Sequence, residues 1–250
     1  MRKILMRADD LGYSEAVNYG ILKSVQDGLI GSVGLMSSME AAAHGVKLLQ
    51  PEKIALGLHF NISIGQPAAD PALIPSLVQA NGEFKPSSEY RKAKEDFVVL
   101  EEIIIEAEAQ LARFIELTGQ KPAYLDGHAV PSPTLFHGLE IVGKRHGLKY
   151  SPLPQKIEDQ VTIGQTQVLM HTGSSPEKDG KTCLEELLAT PVLPGVVDLL
   201  VYHPGYLDEY ILQRSSLNIR RTAECAMLCR PETRELLAAN DVELVTYLDL

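Results

Sequence analysis

Short apolar runs alternate with amphipathic stretches along nearly the whole chain, and this order restricts the fold more than any other feature. Ile4-Leu5-Met6, Gly31 to Met36, Ile54 to Leu58, Pro122 to Asp126, Leu148 to Tyr150, Val196 to Tyr202 and Val242 to Tyr247 read as strands. Between them, Ala16, Val17, Ile21, Leu22 and Val25 recur at helical spacing, with Asp27-Gly28 as the stop. Ala41 to Leu49, Leu135 to Lys144, Thr182 to Leu188, Ser216 to Leu228 and Pro231 to Ala239 also read as helices. Val98, Ile103, Ala107, Leu111, Phe114 and Ile115 form one stripe within a long helix, or two joined ones, from Ser87 to Thr118. A strand followed by a helix and another strand needs a crossover, so the strands are expected to be parallel with the helices outside. Six or seven such strands suit an α/β fold of the (β/α) barrel type, complete or distorted, better than an open sheet. No glycine-rich phosphate fingerprint follows the first strand, which disfavours a dinucleotide-binding fold.

Two segments stand outside the pattern. Gly65 to Pro86 is rich in Pro, Ala and small polar residues and reads as a long loop, of the kind that is usually functional. Pro152 to Asp179 holds two β-like runs, Val161 to Ile163 and Gln167 to Met170, among turn residues. No Pro/Ser linker and no fixed-period repeat divides the chain, so the 250 residues are expected to form a single domain.

A net charge of −10 argues against nucleic acid or an anionic membrane as partner, since both would repel it. No signal peptide is visible after Met1-Arg2-Lys3, and no apolar run approaches a membrane span. The three cysteines, Cys183, Cys225 and Cys229, make no disulfide framework, and a cytoplasmic location is expected. Cys225 and Cys229 lie four apart on a predicted helix and are expected to serve packing, because no further Cys or His nearby completes a metal site.

The strand ends carry the chemistry. Ala8-Asp9-Asp10-Leu11-Gly12 follows the first strand, and one Asp could merely cap the next helix, although Ser14 can do that unaided. His59, His128 and His203 each follow a further apolar strand. Each alone reads as a hydrogen-bonded structural histidine. In a parallel sheet, however, all four strand ends share one face, and together they read as one site. His44, His137 and His146 lie on or near helices, and His171 ends a possible strand; they are left out of the site. One carboxylate and two imidazoles would hold a metal with open positions for water and a substrate oxygen. A second carboxylate beside the metal could take the water's proton, and a histidine across the site could protonate a leaving group. The set describes metal-assisted hydrolysis of an amide or ester.

With these residues in hand, the chain resembles the YdjC-like carbohydrate deacetylases, which include chitooligosaccharide deacetylases. The matching stretches are Ala8-Asp9-Asp10-Leu11-Gly12, Gly57-Leu58-His59-Phe60-Asn61, Asp126-Gly127-His128 and His203-Pro204-Gly205. Arg221, Glu224 and the closing Val242-Glu243-Leu244-Val245 also match, in the family's order. The resemblance implies a barrel-like fold and removal of acetyl from an N-acetylated amino sugar or short oligosaccharide with one divalent metal ion, Mg2+ or Zn2+. It implies Asp10, His59 and His128 as metal ligands, Asp9 as general base and His203 as general acid; the split between the two Asp roles rests on analogy with other metal-dependent sugar deacetylases, and the reverse is the alternative. Asn61, Arg221, Phe60 and Tyr206 are the expected substrate contacts, and a homodimer is the family habit. Family members carry further histidines after the one matching His128, where this chain has Ala129 and Val130. The chain also lacks Trp, so sugar stacking falls to Tyr or Phe, such as Phe60, Tyr13 or Tyr206. Another metal-dependent barrel hydrolase, a sugar isomerase, or a non-catalytic sugar-binding protein with the same metal set are the rival readings.

Overall fold

A computed structural model describes residues 1–154, 156 and 159–250. The strands are β1 (Arg2–Leu11), β2 (Ser32–Leu35), β3 (Ala55–Phe60), β4 (Tyr124–Gly127), β5 (Lys149–Tyr150), β6 (Gln160–Ile163), β7 (Thr166–Thr172), β8 (Val196–Tyr202) and β9 (Val242–Val245). The helices are α1 (Glu15–Gln26), α2 (Ala42–Leu49), α3 (Ser87–Lys92), α4 (Leu100–Thr118), α5 (Pro133–His146), α6 (Gly180–Leu188), α7 (Glu209–Arg214), α8 (Ile219–Leu228) and α9 (Pro231–Ala239).

The strands pair in the order β5-β4-β3-β2-β1-β8-β7-β6, giving a nearly closed barrel whose unsealed seam lies between β5 and β6. β1 is its axis of assembly. One edge pairs with β8 from Lys3 to Ala8, while β9 and β2 share the other, along Arg2 to Leu5 and from Arg7 onward. Every pairing between these strands is parallel except the β6–β7 hairpin, which a two-residue Gly164-Gln165 turn makes antiparallel.

Alternation along β1 sorts its side chains into two cores. Ile4, Met6 and Ala8 join Val17 and Ile21 of α1 in the layer between sheet and helices. Leu5 points the other way, into a second cluster with Ala55, Tyr124, Val197, Leu199 and Tyr247 that fills the barrel floor. There the Tyr124 and Tyr247 rings stack at 3.6 Å between centroids. Gly57 makes room for this pair, since a Cβ at that position would come within 2.3 Å of the Tyr124 ring.

One local feature decides between alternatives the sequence left open, and two differ from its expectation. The Ser87–Thr118 segment is two helices, because Arg91 to Asp96 offers no large apolar side chain to bury, and the chain leaves the helical conformation at Ala93 and bends at Lys94 and Glu95 before α4. The segment before α8 folds its own short helix, α7, capped by the Asp208 carboxylate accepting from Ile211 N–H. β9 stops at Val245, and Tyr247 belongs to a 3-10 turn beneath the barrel. The long loop is anchored to α4: the Glu106 carboxylate accepts from Ala68 and Ala69 N–H at 2.9 Å, and Glu102 from Ser76 N–H at 2.8 Å. Among the described residues no helix is long and apolar enough to cross a membrane.

Candidate active site

β1 does not end before the aspartates, as the sequence suggests, but runs through them to Leu11. Regular alternation would send Asp9 and Asp10 to opposite faces. A bulge prevents this. Between Ala8 and Leu11, β1 takes three steps against two on β2, from Val33 to Leu35, and Asp10 adopts φ +75°. A left-handed non-glycine residue costs roughly 1–2 kcal/mol. In return both carboxylates, each buried, reach the same cavity at the C-terminal mouth of the barrel.

There Asp10 meets two histidines. Its Oδ1 lies 3.0 Å from His128 Nδ1 and 3.5 Å from His59 Nε2, and the two imidazole nitrogens are 3.1 Å apart. His59 Nδ1 lies 3.0 Å from Asp126 Oδ1, a contact that orients the ring and turns Nε2 toward Asp10 and His128. The other Asp10 oxygen, Oδ2, accepts from Arg221 Nη2 at 2.7 Å. Burial works to raise the Asp10 carboxyl, but His128 and Arg221 outweigh it and hold the group well below the usual carboxylate range.

Beneath this cluster Arg7 forks onto Asp9, with Nε 2.8 Å from Oδ1 and Nη2 2.9 Å from Oδ2. The same Nη2 lies 2.9 Å from Asp126 Oδ2, and Nη1 donates to the Tyr247 hydroxyl at 2.8 Å. Burial opposes the Arg7 cation, yet Asp126 and Asp9 hold it firmly protonated.

Among the described residues, two groups of three donors are close enough to surround a cation: Asp10, His59 and His128, and Asp9, His59 and Asp126. The second is already filled, because the Arg7 guanidinium occupies both of its carboxylates. The first fits a divalent ion in donor type, in the oriented His59 nitrogen and in charge. Three buried carboxylates, Asp9, Asp10 and Asp126, face two buried guanidinium groups, Arg7 and Arg221. The third positive charge is either a proton on His59, which burial opposes but Asp9 and Asp126 favour, or a cation bound at the same place.

His203 also lines this cavity, from the end of β8. Its backbone N–H donates to Glu224 Oε2, and Ser174 Oγ donates to the other oxygen of the same carboxylate. Burial pushes the His203 imidazole below its ordinary 6.5, although Asp10 and Asp9 pull it upward. The cavity encloses about 510 Å³ and is walled by Tyr13, Ile64, Arg91, Ala129, Arg214 and Leu217.

The other expected substrate contacts divide. Arg221 lines the cavity, with its guanidinium 5.4 Å from the Tyr13 ring centroid. Phe60 does not: it follows His59 on β3 and therefore faces the helix layer, fully buried. Asn61 is also fully buried, its carboxamide donating to Ile64 O at 2.7 Å and accepting from Ser63 N–H at 2.9 Å, so it shapes the loop after β3. Tyr206 is 39 % exposed on the outside, with its N–H donating to Ala16 O. Of the aromatic residues weighed for sugar stacking, Tyr13 alone lines the cavity. His171 lies elsewhere, bonded to Asp198 at 2.8 Å.

Arg7, Asp126, Glu224 and Tyr247 were not singled out as site residues from the sequence. Asp126 and Glu224 stand among the family-matching residues, and alternation gives a signal for Arg7 and Asp126: each lies two residues before a site residue, Asp9 or His128, and so shares its strand face.

The YdjC-like protein family model matches residues 3–239. A carbohydrate deacetylase of Geobacillus stearothermophilus is 30% identical over 249 residues, covering 98% of this chain and 97% of that protein. A chitooligosaccharide deacetylase of Serratia marcescens is 28% identical over 258 residues and covers both chains completely. Among solved structures, a protein of Enterococcus faecalis V583 proposed to cleave cellobiose phosphate superposes with a TM-score of 0.85 at 20% identity, over 99% of this chain and 98% of that one. A family 4 acetyl xylan esterase of Clostridium thermocellum, in complex with a cobalt ion, superposes with a TM-score of 0.52 at 12% identity, over 99% and 89%. From the first strand to the ninth helix, and over the full length of its relatives, this chain belongs to the YdjC-like protein family.

Proposed function

We propose that this chain, acting as one catalytic domain, is a metal-dependent deacetylase of N-acetylated amino sugars or short oligosaccharides of them. The observation that carries the reading is the meeting of Asp10, His59 and His128, with His59 oriented from behind by Asp126 and with Asp9 and His203 beside the same opening. The names of the relatives, carbohydrate and chitooligosaccharide deacetylase, support the substrate class.

Asp10, His59 and His128 would hold a divalent cation, which supplies Lewis acidity to an acetamide carbonyl and to water. Two imidazoles and one carboxylate suit Zn2+ or Co2+ better than the all-oxygen surroundings Mg2+ prefers. The acetyl xylan esterase with its cobalt ion agrees with that preference.

Asp9 is the general base. It is held in the Arg7 fork, outside the set of three that suits the cation, and takes a proton from the water whose oxygen attacks the acetyl carbon. His203 is the general acid and passes a proton to the sugar nitrogen as the C–N bond breaks, releasing acetate and a free amine. Its low basicity makes the imidazolium a ready donor, at the cost of a smaller charged population near neutral pH. Arg221 keeps Asp10 ionised and turned toward the two histidines, and Tyr13 offers the cavity an aromatic wall for a sugar face.

The test is acetate release from N,N′-diacetylchitobiose and a panel of N-acetylated sugars, with Zn2+, Co2+ or Mg2+ added to the purified protein. Metal-dependent acetate release is expected. A panel that yields none with any of the three ions would overturn the reading.

A further inference from the structure

One guanidinium holds two carboxylates that do different work, and it is clamped from a distant part of the chain. Arg7 spans Asp9, the base in the reading above, and Asp126, the carboxylate that orients His59. Its remaining terminal nitrogen, Nη1, donates to the Tyr247 hydroxyl at 2.8 Å. That hydroxyl, with its acceptor side taken, lies 3.1 Å from Ser151 Oγ at the end of β5. Tyr247 itself is locked in place: it is fully buried, its ring stacks on Tyr124, and its N–H donates to Ser32 Oγ.

Asp126 is buried away from the cavity and Asp9 meets it only at one edge, so bulk solvent does not readily replace the guanidinium on either carboxylate. Lys could supply the charge of Arg7 but not its planar fork, and could not reach Asp9, Asp126 and Tyr247 together. We propose that Arg7 is a positioning residue which sets the base Asp9 and the metal-site orienter Asp126 on a single rigid guanidinium, with Tyr247 as its clamp from the turn after β9. The inference rests on the deacetylase reading for the role of Asp9, and on geometry alone for the link from Tyr247 through Arg7 and Asp126 to His59. Its consequence is that base placement and metal affinity share one support, so a change at the barrel floor is felt in both.

The test uses the full chain with Arg7→Lys and Tyr247→Phe, the second keeping the ring stack and removing only the hydroxyl. Each folded variant is measured for Co2+ affinity by titration and for kcat and KM of acetate release. Arg7→Lys is expected to weaken Co2+ binding and lower kcat, each about 10- to 100-fold, with KM unchanged. Tyr247→Phe is expected to move both in the same direction by about tenfold or less. A purely structural Arg7 would lower the melting temperature and leave both constants of the folded protein as they were, and that result overturns the proposal. If the wild type binds Co2+ and the variants bind it more weakly, but no acetate appears from any sugar, the positioning link stands and the deacetylase reading falls. Wild-type protein that binds no Co2+ overturns the link.

Discussion

Arg221 Nη2 lies 2.7 Å from Asp10 Oδ2, and both side chains are 1 % exposed. The pair closes a contact between α8 and β1, and it leaves the second Asp10 oxygen facing His59 and His128. Removing a single partner from such a buried pair strands the other charge, at a cost of about 3–5 kcal/mol. Arg221→Met is therefore expected to destabilise the metal-free protein by about that amount in urea unfolding. Added Zn2+ or Co2+ should recover part of the loss, because a cation beside Oδ1 replaces some of the missing positive charge. An equal deficit with and without metal would show that Asp10 does not face a cation site.

The two adjacent aspartates are expected to separate by function. His59→Ala removes an imidazole from the set of three and should abolish stoichiometric metal binding, measured by metal analysis after gel filtration. Asp9→Asn should retain the metal and lose turnover by roughly 100- to 10,000-fold, the range of general-base contributions. The reverse outcome at Asp9, metal lost along with activity, would exchange its role with that of Asp10.

How far the site is legible in the sequence depends on how local its causes are. Period-2 alternation and parallel strands suffice to bring Asp9, His59, His128 and His203 to one end of a barrel, and they do meet there. The same alternation, applied strictly, would have excluded Phe60, which neighbours His59 and so faces the opposite layer. It would also have drawn in Arg7 and Asp126. The direction of Asp10 is another matter. It comes from a bulge whose register is set against Val33 and Leu35 of the neighbouring strand, and β1 alone carries no sign of it. Arg221 reaches Asp10 across 211 residues, and no pattern within α8 announces that contact. Tyr247 continues the apolar pattern of β9 and so reads as strand; only the closed floor of the barrel turns its ring under Tyr124.

The turn after His128 stores strain that can be measured. Ala129 has φ +53°, and Val130 N–H donates to His128 O at 2.7 Å, closing a three-residue turn of the strained hand. An L residue is disfavoured there, and glycine is not. Ala129→Gly is expected to stabilise the protein by about 0.5–1 kcal/mol, the relief of the left-handed backbone exceeding the extra entropy of the unfolded chain. Urea midpoints at constant m-value would read the change. A destabilised variant would mean that the Ala129 methyl makes contacts worth more than the strain.

Glu106, which does not line the cavity, offers a test of pH dependence. It is fully buried on α4, where burial raises its carboxyl above the ordinary 4.5 even though Ala68 N–H, Gln110 and Ala69 N–H pull the other way. The folded state therefore binds this proton more tightly than the unfolded chain does. Its contribution to stability is complete below about pH 4.5 and declines as pH rises through the higher folded-state value. Glu106→Gln is permanently neutral and lacks this dependence. The stability of the wild type relative to the variant should thus be greatest in acid and shrink toward neutral pH, read from paired urea unfolding at pH 4.5, 6 and 7.5. A difference that grows with pH would mean that the three hydrogen bonds onto the carboxylate, two of which tether the long loop to α4, outweigh its desolvation.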